Sequence, residues 1–300
     1  MGIIGSGTIY ATDYRYLNDS TEGGEIRKLL LPIFEAETAK VTAKLVDKGL
    51  LSADFYKDHG ERGHRLQAEG LYRAFATVAD RVSPVFVSSF CKHDEGSEIF
   101  ESGLLSQWRG YASGGGFAIE FDEDGIDTLA KRESEKYAVV GFKTEDVLYD
   151  RFERIFGAKD YEGLAGSMIA DLFEARDISH ITGKRDIDRT MIKFLSVAPF
   201  LKNPGFREER EYRMTISNIS RGHIPDGEKR APKEIKYRER AGLVVPYMEL
   251  FSTVADKLPI KSIIVGPHAH QELQEESIKM MLESKYHEVK VRRSRIPFRQ

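Results

Sequence analysis

Residues 206–216 read Phe-Arg-Glu-Glu-Arg-Glu-Tyr-Arg-Met-Thr-Ile, and this run constrains the fold more than any other. Side chains alternate faces along a strand, so a strand here puts Glu209, Glu211, Arg213 and Thr215 on one side. Arg210, Tyr212, Met214 and Ile216 fall on the other, which grows apolar as it proceeds and reads as a core face. The first side sets two carboxylates and a guanidinium in a row. Carboxylates two positions apart lie roughly 6.5–7 Å apart at the backbone; left unpaired they would repel, and one pKa would rise. Two readings stay open. One is a half-exposed strand with Arg213 neutralising a neighbour; the other is a carboxylate pair at a cleft edge, where Glu211 or Glu209 orients a hydroxyl or stabilises a cation.

Further strands are expected at 7–13, 84–91, 117–121, 137–143, 233–240, 243–247, 260–267 and 288–298, from their β-branched and aromatic runs. Helical periodicity covers 22–82, with Pro32, Gly49 and Ser52 punctuating it and Leu66, Tyr72, Phe75, Val78 and Ala79 as its buried stripe. Two or more helices fill 146–200, and one more spans 271–286. Helices interleaved with many short strands give an α+β fold: a mixed, mainly antiparallel sheet with helical segments 22–82 and 146–200 packed on it, in a single domain 1–300. The opening Met-Gly-Ile-Ile-Gly-Ser-Gly reads as the last turn of a helix with its terminating glycine, which suggests a segment upstream of Met1.

The remaining polar features are weighed against plainer roles. Asn18, Asp19 and Ser20 suit an N-cap, yet they also sit in a loop just after a strand, where binding residues gather. Ser88 and Ser89 interrupt an apolar strand, and one hydroxyl on each face must find a partner. Leu104, Trp108 and Tyr111 share a helix face as a core anchor, with Gln107 and Arg109 flanking it. Gly114, Gly115 and Gly116 lie between a helix and a strand. That order is the reverse of phosphate cradles, so a Walker or dinucleotide-fold reading is rejected. His268 and His270 lack a matching Cys or His cluster, so no metal is expected. Asp13, Asp19, Glu120 and Asp122 have no recognisable metal-nuclease spacing.

Among 300 residues, 45 basic against 48 acidic side chains leave a net charge of −3, so no overall field favours nucleic acid or acidic lipid. One cysteine, Cys91, precludes an internal disulfide and fits a reducing compartment. Neither a leader pattern nor an apolar run of about eighteen residues is present, so a soluble, cytoplasmic protein with no membrane partner is expected. No feature assigns an oligomeric state.

Taken in order, the pieces 2–13, Leu-Asn-Asp-Ser-Thr-Glu at 17–22, Ser-Ser-Phe-Cys at 88–91, Gln-Trp-Arg-Gly-Tyr at 107–111 and Gly-Phe-Ala-Ile-Glu-Phe at 116–121 form a pattern. Phe206, Glu209, Glu211 and Arg213 continue it, and Ile-Ile-Val-Gly-Pro at 263–267 closes it. The pattern resembles a bacterial domain-of-unknown-function family numbered 2971, whose members begin with a His-Tyr-Thr strand and a short helix before the position of Met1. The order of a polar first strand, a Ser-Ser strand and a Glu-x-Glu strand is in turn similar to the layout of ADP-ribosyltransferases. That similarity implies NAD as co-substrate and no metal. It implies Glu211 facing the ribose as nicotinamide leaves and Glu209 approaching the acceptor, as the catalytic pair. Ser88 and Ser89 would line NAD, and Asn18, Gln107, Trp108, Tyr111 and Arg213 would complete its site. The histidine expected on the first strand is absent. Arg15 lies in the loop beyond that strand and is a poor substitute.

Two functions follow as expectations. One is an NAD-dependent ADP-ribosyltransferase-like effector, a toxin or phage-defence protein with a protein or nucleic-acid acceptor. The other is a non-catalytic binding or sensor module of a defence or stress system, in which Glu209, Glu211 and Arg213 form a structural ion-pair row.

Overall fold

A computed structural model describes the chain apart from residues 1, 18–22, 53, 55–59, 113, 151, 153–155, 173–185, 219–226 and 298–300. It opens with a short helix, α1 (Gly2–Ser6), which ends on Gly7 in the left-handed region at φ 66°. Strand β1 (Ile9–Asp13) follows, then the long helices α2 (Gly24–Asp47) and α3 (Gly60–Val82). Strand β2 (Val85–Cys91) leads through α4 (Glu98–Ser102) and α5 (Leu105–Tyr111) into β3 (Phe117–Phe121). Next come α6 (Glu123–Lys136), β4 (Val139–Asp146), α7 (Leu164–Leu172) and α8 (Ile187–Val197). The chain closes with β5 (Glu211–Asn218), β6 (Lys236–Arg240), β7 (Leu243–Leu250), β8 (Ile260–Val265), α9 (Gln271–Leu282) and β9 (Lys290–Arg293).

Six strands form one antiparallel sheet in the order β4-β5-β2-β1-β7-β6, and β3-β8-β9 form a second with β8 and β9 parallel. This is the α+β, mainly antiparallel architecture expected. The period of two along the strands sorts side chains to two cores. Val85 and Val87 face a helical layer with Ile26, Leu30, Phe34, Phe75 and Phe194. Phe86, Met214, Ile216 and Met248 face the second sheet together with α6 and α9.

Several elements depart from expectation. Helix α2 runs through Pro32 unbroken. A proline inside a helix costs about 3 kcal/mol, but Ile26, Leu30 and Phe34 are wholly buried on either side of it, and that packing outweighs the lost bond. Leu66 and Val78 of α3 are about half exposed, whereas Tyr72, Phe75 and Ala79 carry the buried stripe as read. Helix α6 was missed because its face is mostly charged, yet Ile126, Leu129 and Ala130 are buried. The last strand is only four residues long.

Candidate functional site on the helix-facing side of the sheet

The largest local departure concerns the acidic run itself. Residues Pro204–Glu209 form a 3-10 turn started by the Asn203 side chain, which accepts from Gly205 N–H at 2.9 Å. Arg210 then takes a left-handed conformation at φ 44°, and the strand begins only at Glu211. Glu209 and Arg210 therefore precede the alternation instead of belonging to it. Alternation from Glu211 onward holds: Met214 and Ile216 enter the core between the two sheets, and Arg213 and Thr215 point to the helical side.

Glu209 and Glu211 nevertheless meet, on a cation the sequence reading passed over. Lys202 Nζ donates to Glu209 Oε2 at 2.8 Å and to Glu211 Oε2 at 2.9 Å. Arg213 grips Glu211 with a fork, Nε at 2.7 Å and Nη2 at 3.0 Å, and donates Nη1 to the Pro199 carbonyl. Glu211 N–H donates to the Tyr149 hydroxyl at 2.9 Å. The side chains of Lys202, Glu211 and Arg213 are 6%, 4% and 1% exposed, so two cations and two anions cancel in a place nearly without water. Burial alone would raise the Glu211 pKa. The Arg213 charge and hydrogen bonds, a bond from the Ser89 hydroxyl and the Lys202 charge outweigh it and hold the carboxyl below its ordinary value. Lys202 is desolvated too, and its two carboxylates keep it above the usual lysine value.

The register places the remaining candidates. Ser89 lies opposite Arg213 and Cys91 opposite Glu211, so both share the face of the charged network. Ser89 is exposed; Ser88 is buried on the other face, where its hydroxyl donates to the Tyr10 carbonyl at 3.0 Å. The two serines thus part company, one to the site and one to the backbone. Gln107 joins from α5, its Nε2 donating to Cys91 Sγ at 2.6 Å. Burial pushes the Cys91 thiol up to about 11, so it is no nucleophile near neutral pH.

Trp108 does not join the network. Its Nε1 donates to the Ser102 carbonyl at 2.9 Å, and its ring fills the space beside Gly103 and Gly266. Tyr111 is 61% exposed and not the core residue its spacing suggested. Asn18 lies outside the described residues. Asp13 is taken by Arg15, Asp122 caps α6 and pairs with Lys261, and Glu120 accepts from Ser262. No group of three or more metal-ligating side chains occurs among the described residues.

What sequence reading missed is a bare strip beside the network. Helices bury Val85, Val87 and Tyr14, but the cover stops short of Ser89 and Tyr10. Tyr10, the second residue of β1, is 39% exposed, and the register that pairs Thr12 with Val87 sets it beside Ser89. Tyr247 of β7 lies across from Thr12, its ring 4.7 Å from that of Tyr10. Arg238 of β6 covers both rings, its guanidinium carbon 5.4 Å from each centroid. An exposed aromatic near the start of a central strand could not be foreseen from alternation alone, because the gap depends on where distant helices end.

Strands β5, β2 and β1 are neighbours, so the Glu-x-Glu, Ser-Ser and first strands of the sequence pattern stand side by side. No curated protein and no solved structure matches the chain. Residues 107–214, from Gln107 through Lys202 and Glu211 to Met214, match the model of the family described as Protein of unknown function (DUF2971), a stretch that holds the charged network but not Ser89, Tyr10 or Arg238.

Proposed function

We propose that the protein is a non-catalytic, sensor-type module that binds a small ligand on the bare strip formed by Ser89, Tyr10 and Tyr247, with the charged network as its rigid floor. The observation that carries this reading is the saturation of Glu211. Both carboxylate oxygens are occupied by Arg213 and Lys202, and its side chain is 4% exposed. A carboxylate that stabilises a developing cation must have negative charge to spare at the reacting atom. Glu211 has none, and instead locks β5 and holds the Ser89 hydroxyl. The strip offers a hydroxyl and two tyrosine faces, the mix of apolar area and few polar groups that small ligands use.

Ligand-induced shifts in melting temperature across a panel of nucleotides and aromatic acids test this. At least one compound should raise the melting temperature of the wild type and leave Tyr10→Ala unshifted. A shift that survives Tyr10→Ala unchanged, or none from any compound, would overturn the assignment.

One contact favours a second reading, an ADP-ribosyltransferase-like effector consuming NAD on a protein or nucleic-acid acceptor. Ser89 lies opposite Arg213 on the face that carries Glu211 and helps to hold the Glu211 pKa low, which sets a candidate NAD contact beside the candidate catalytic acid. For that chemistry Arg213 or Lys202 would have to release Glu211 when NAD binds. Nicotinamide release by the wild type that is lost in Glu211→Gln is the result that would carry it.

A further inference from the structure

We infer that Arg238 is a receptor for the phosphate group of the ligand, and that the ligand class is a phosphorylated compound with a flat aromatic group, of mononucleotide size. This rests on the strip being a ligand site and adds the chemistry of what it takes. Three arginines among the described residues are not exposed: Arg213, Arg238 and Arg292. Arg213 faces Glu211, and Arg292 faces Glu101 and Glu120. Arg238 has no carboxylate within 4.0 Å among the described residues; its only hydrogen bond there runs from Nη2 to Thr12 Oγ1 at 3.1 Å. Its Nε is shielded from water without a partner, and Nη1 makes no hydrogen bond among the described residues. Glu249, on the neighbouring strand β7, is occupied by Lys236 at 2.8 Å.

A guanidinium fixed beside Tyr10 and Tyr247 by its Nη2 bond to Thr12, with Nη1 unbonded among the described residues, is placed for an oxyanion. Bidentate N–H donation to phosphate is the strong form of that contact. A phosphate ester of an aromatic compound is favoured over inorganic phosphate because Tyr10, 39% exposed, lies between Arg238 and Ser89. An aromatic group can lie on that ring while the phosphate sits on the guanidinium. From β6 to β2 is three strand spacings, about 14 Å, which a nucleoside phosphate can span with the two side chains reaching inward.

The experiment titrates the full chain at low ionic strength with AMP, adenosine and inorganic phosphate, in the wild type, Arg238→Gln, Arg238→Lys and Tyr10→Ala. Thermal melts first show that each variant is folded. AMP should bind the wild type at least tenfold more tightly than either adenosine or phosphate. Arg238→Gln should erase the gap between AMP and adenosine, and Arg238→Lys should restore part of it, because it keeps the charge and loses the fork. Wild-type affinity of Arg238→Gln for AMP, or equal affinity of the wild type for AMP and adenosine, would overturn the phosphate assignment. Adenosine binding that survives Arg238→Gln but is lost in Tyr10→Ala would then still uphold the strip as a ligand site. No binding of any of the three by the wild type overturns the phosphate assignment and leaves the strip to be judged by the wider panel.

Discussion

At the residue scale, Arg213 decides how the centre of the sheet is held. Truncating one partner of a buried ion pair strands the other charge, so Arg213→Ala should destabilise the protein by about 3–5 kcal/mol, measured by chemical denaturation. Replacing both partners with apolar groups, as in Glu211→Leu with Arg213→Met, should cost less than Arg213→Ala alone, since no unpaired charge remains. The network also has a pH signature. Because the folded Glu211 pKa lies below its ordinary 4.5, its contribution is present above that value and is lost as pH falls through the depressed one. Lys202 behaves in the opposite sense: with a folded pKa above 10.5, its contribution is present below that value and fades as pH rises through the raised one. The difference in unfolding free energy between wild type and Glu211→Gln should therefore shrink below about pH 4.5. A difference that stays constant down to acid pH would show that Glu211 is not held as a paired carboxylate. The sequence made Glu211 and Arg213 legible as facing residues because their separation of two fits a strand. Lys202 was illegible as a partner, since a turn and a left-handed residue fold it back across the acids.

At the element scale, α5 shows how one aromatic ring seats a helix beside the second sheet. A Cβ added at Gly103 would meet the Trp108 indole at 2.6 Å, and Gly103 has φ 77°. The ring cannot yield, because Nε1 is bonded to the Ser102 carbonyl and Gly266 bounds its other side. Gly103→Ala should lose about 1–3 kcal/mol through overpacking and backbone strain, read as a lower denaturation midpoint. An unchanged midpoint would mean that α5 shifts freely against the second sheet. Since Gln107 reaches Cys91 from the same helix, Gly103→Ala should also loosen the border of the strip. The glycine run around 114–116 was visible in the sequence, and Gly115 does approach His268 closely. The role of Gly103 was not, because its neighbour in space is set by how the helix docks. Helices α2 and α3 were legible as a class, but their continuity through Pro32 was not, because packing overrides a local breaker when both flanks are buried.

At the scale of the whole molecule, a six-stranded sheet is covered on one face by a second sheet with α6 and α9, and on the other by long helices that leave a strip bare. The two-sided burial was readable from a strand apolar on both faces, residues 85–87. The strip was not, because Tyr10, Ser89, Tyr247 and Arg238 come from four strands spread across the chain. Binding energy on such a strip should appear as a melting-temperature shift that Tyr10→Ala removes. The central claim, that Glu211 is a buttress and not a catalyst, is tested most directly by incubating the folded wild type and Glu211→Gln with NAD and quantifying free nicotinamide. The account predicts nicotinamide no higher than in the protein-free control for both proteins. Nicotinamide that accumulates with the wild type and not with a folded Glu211→Gln would contradict it.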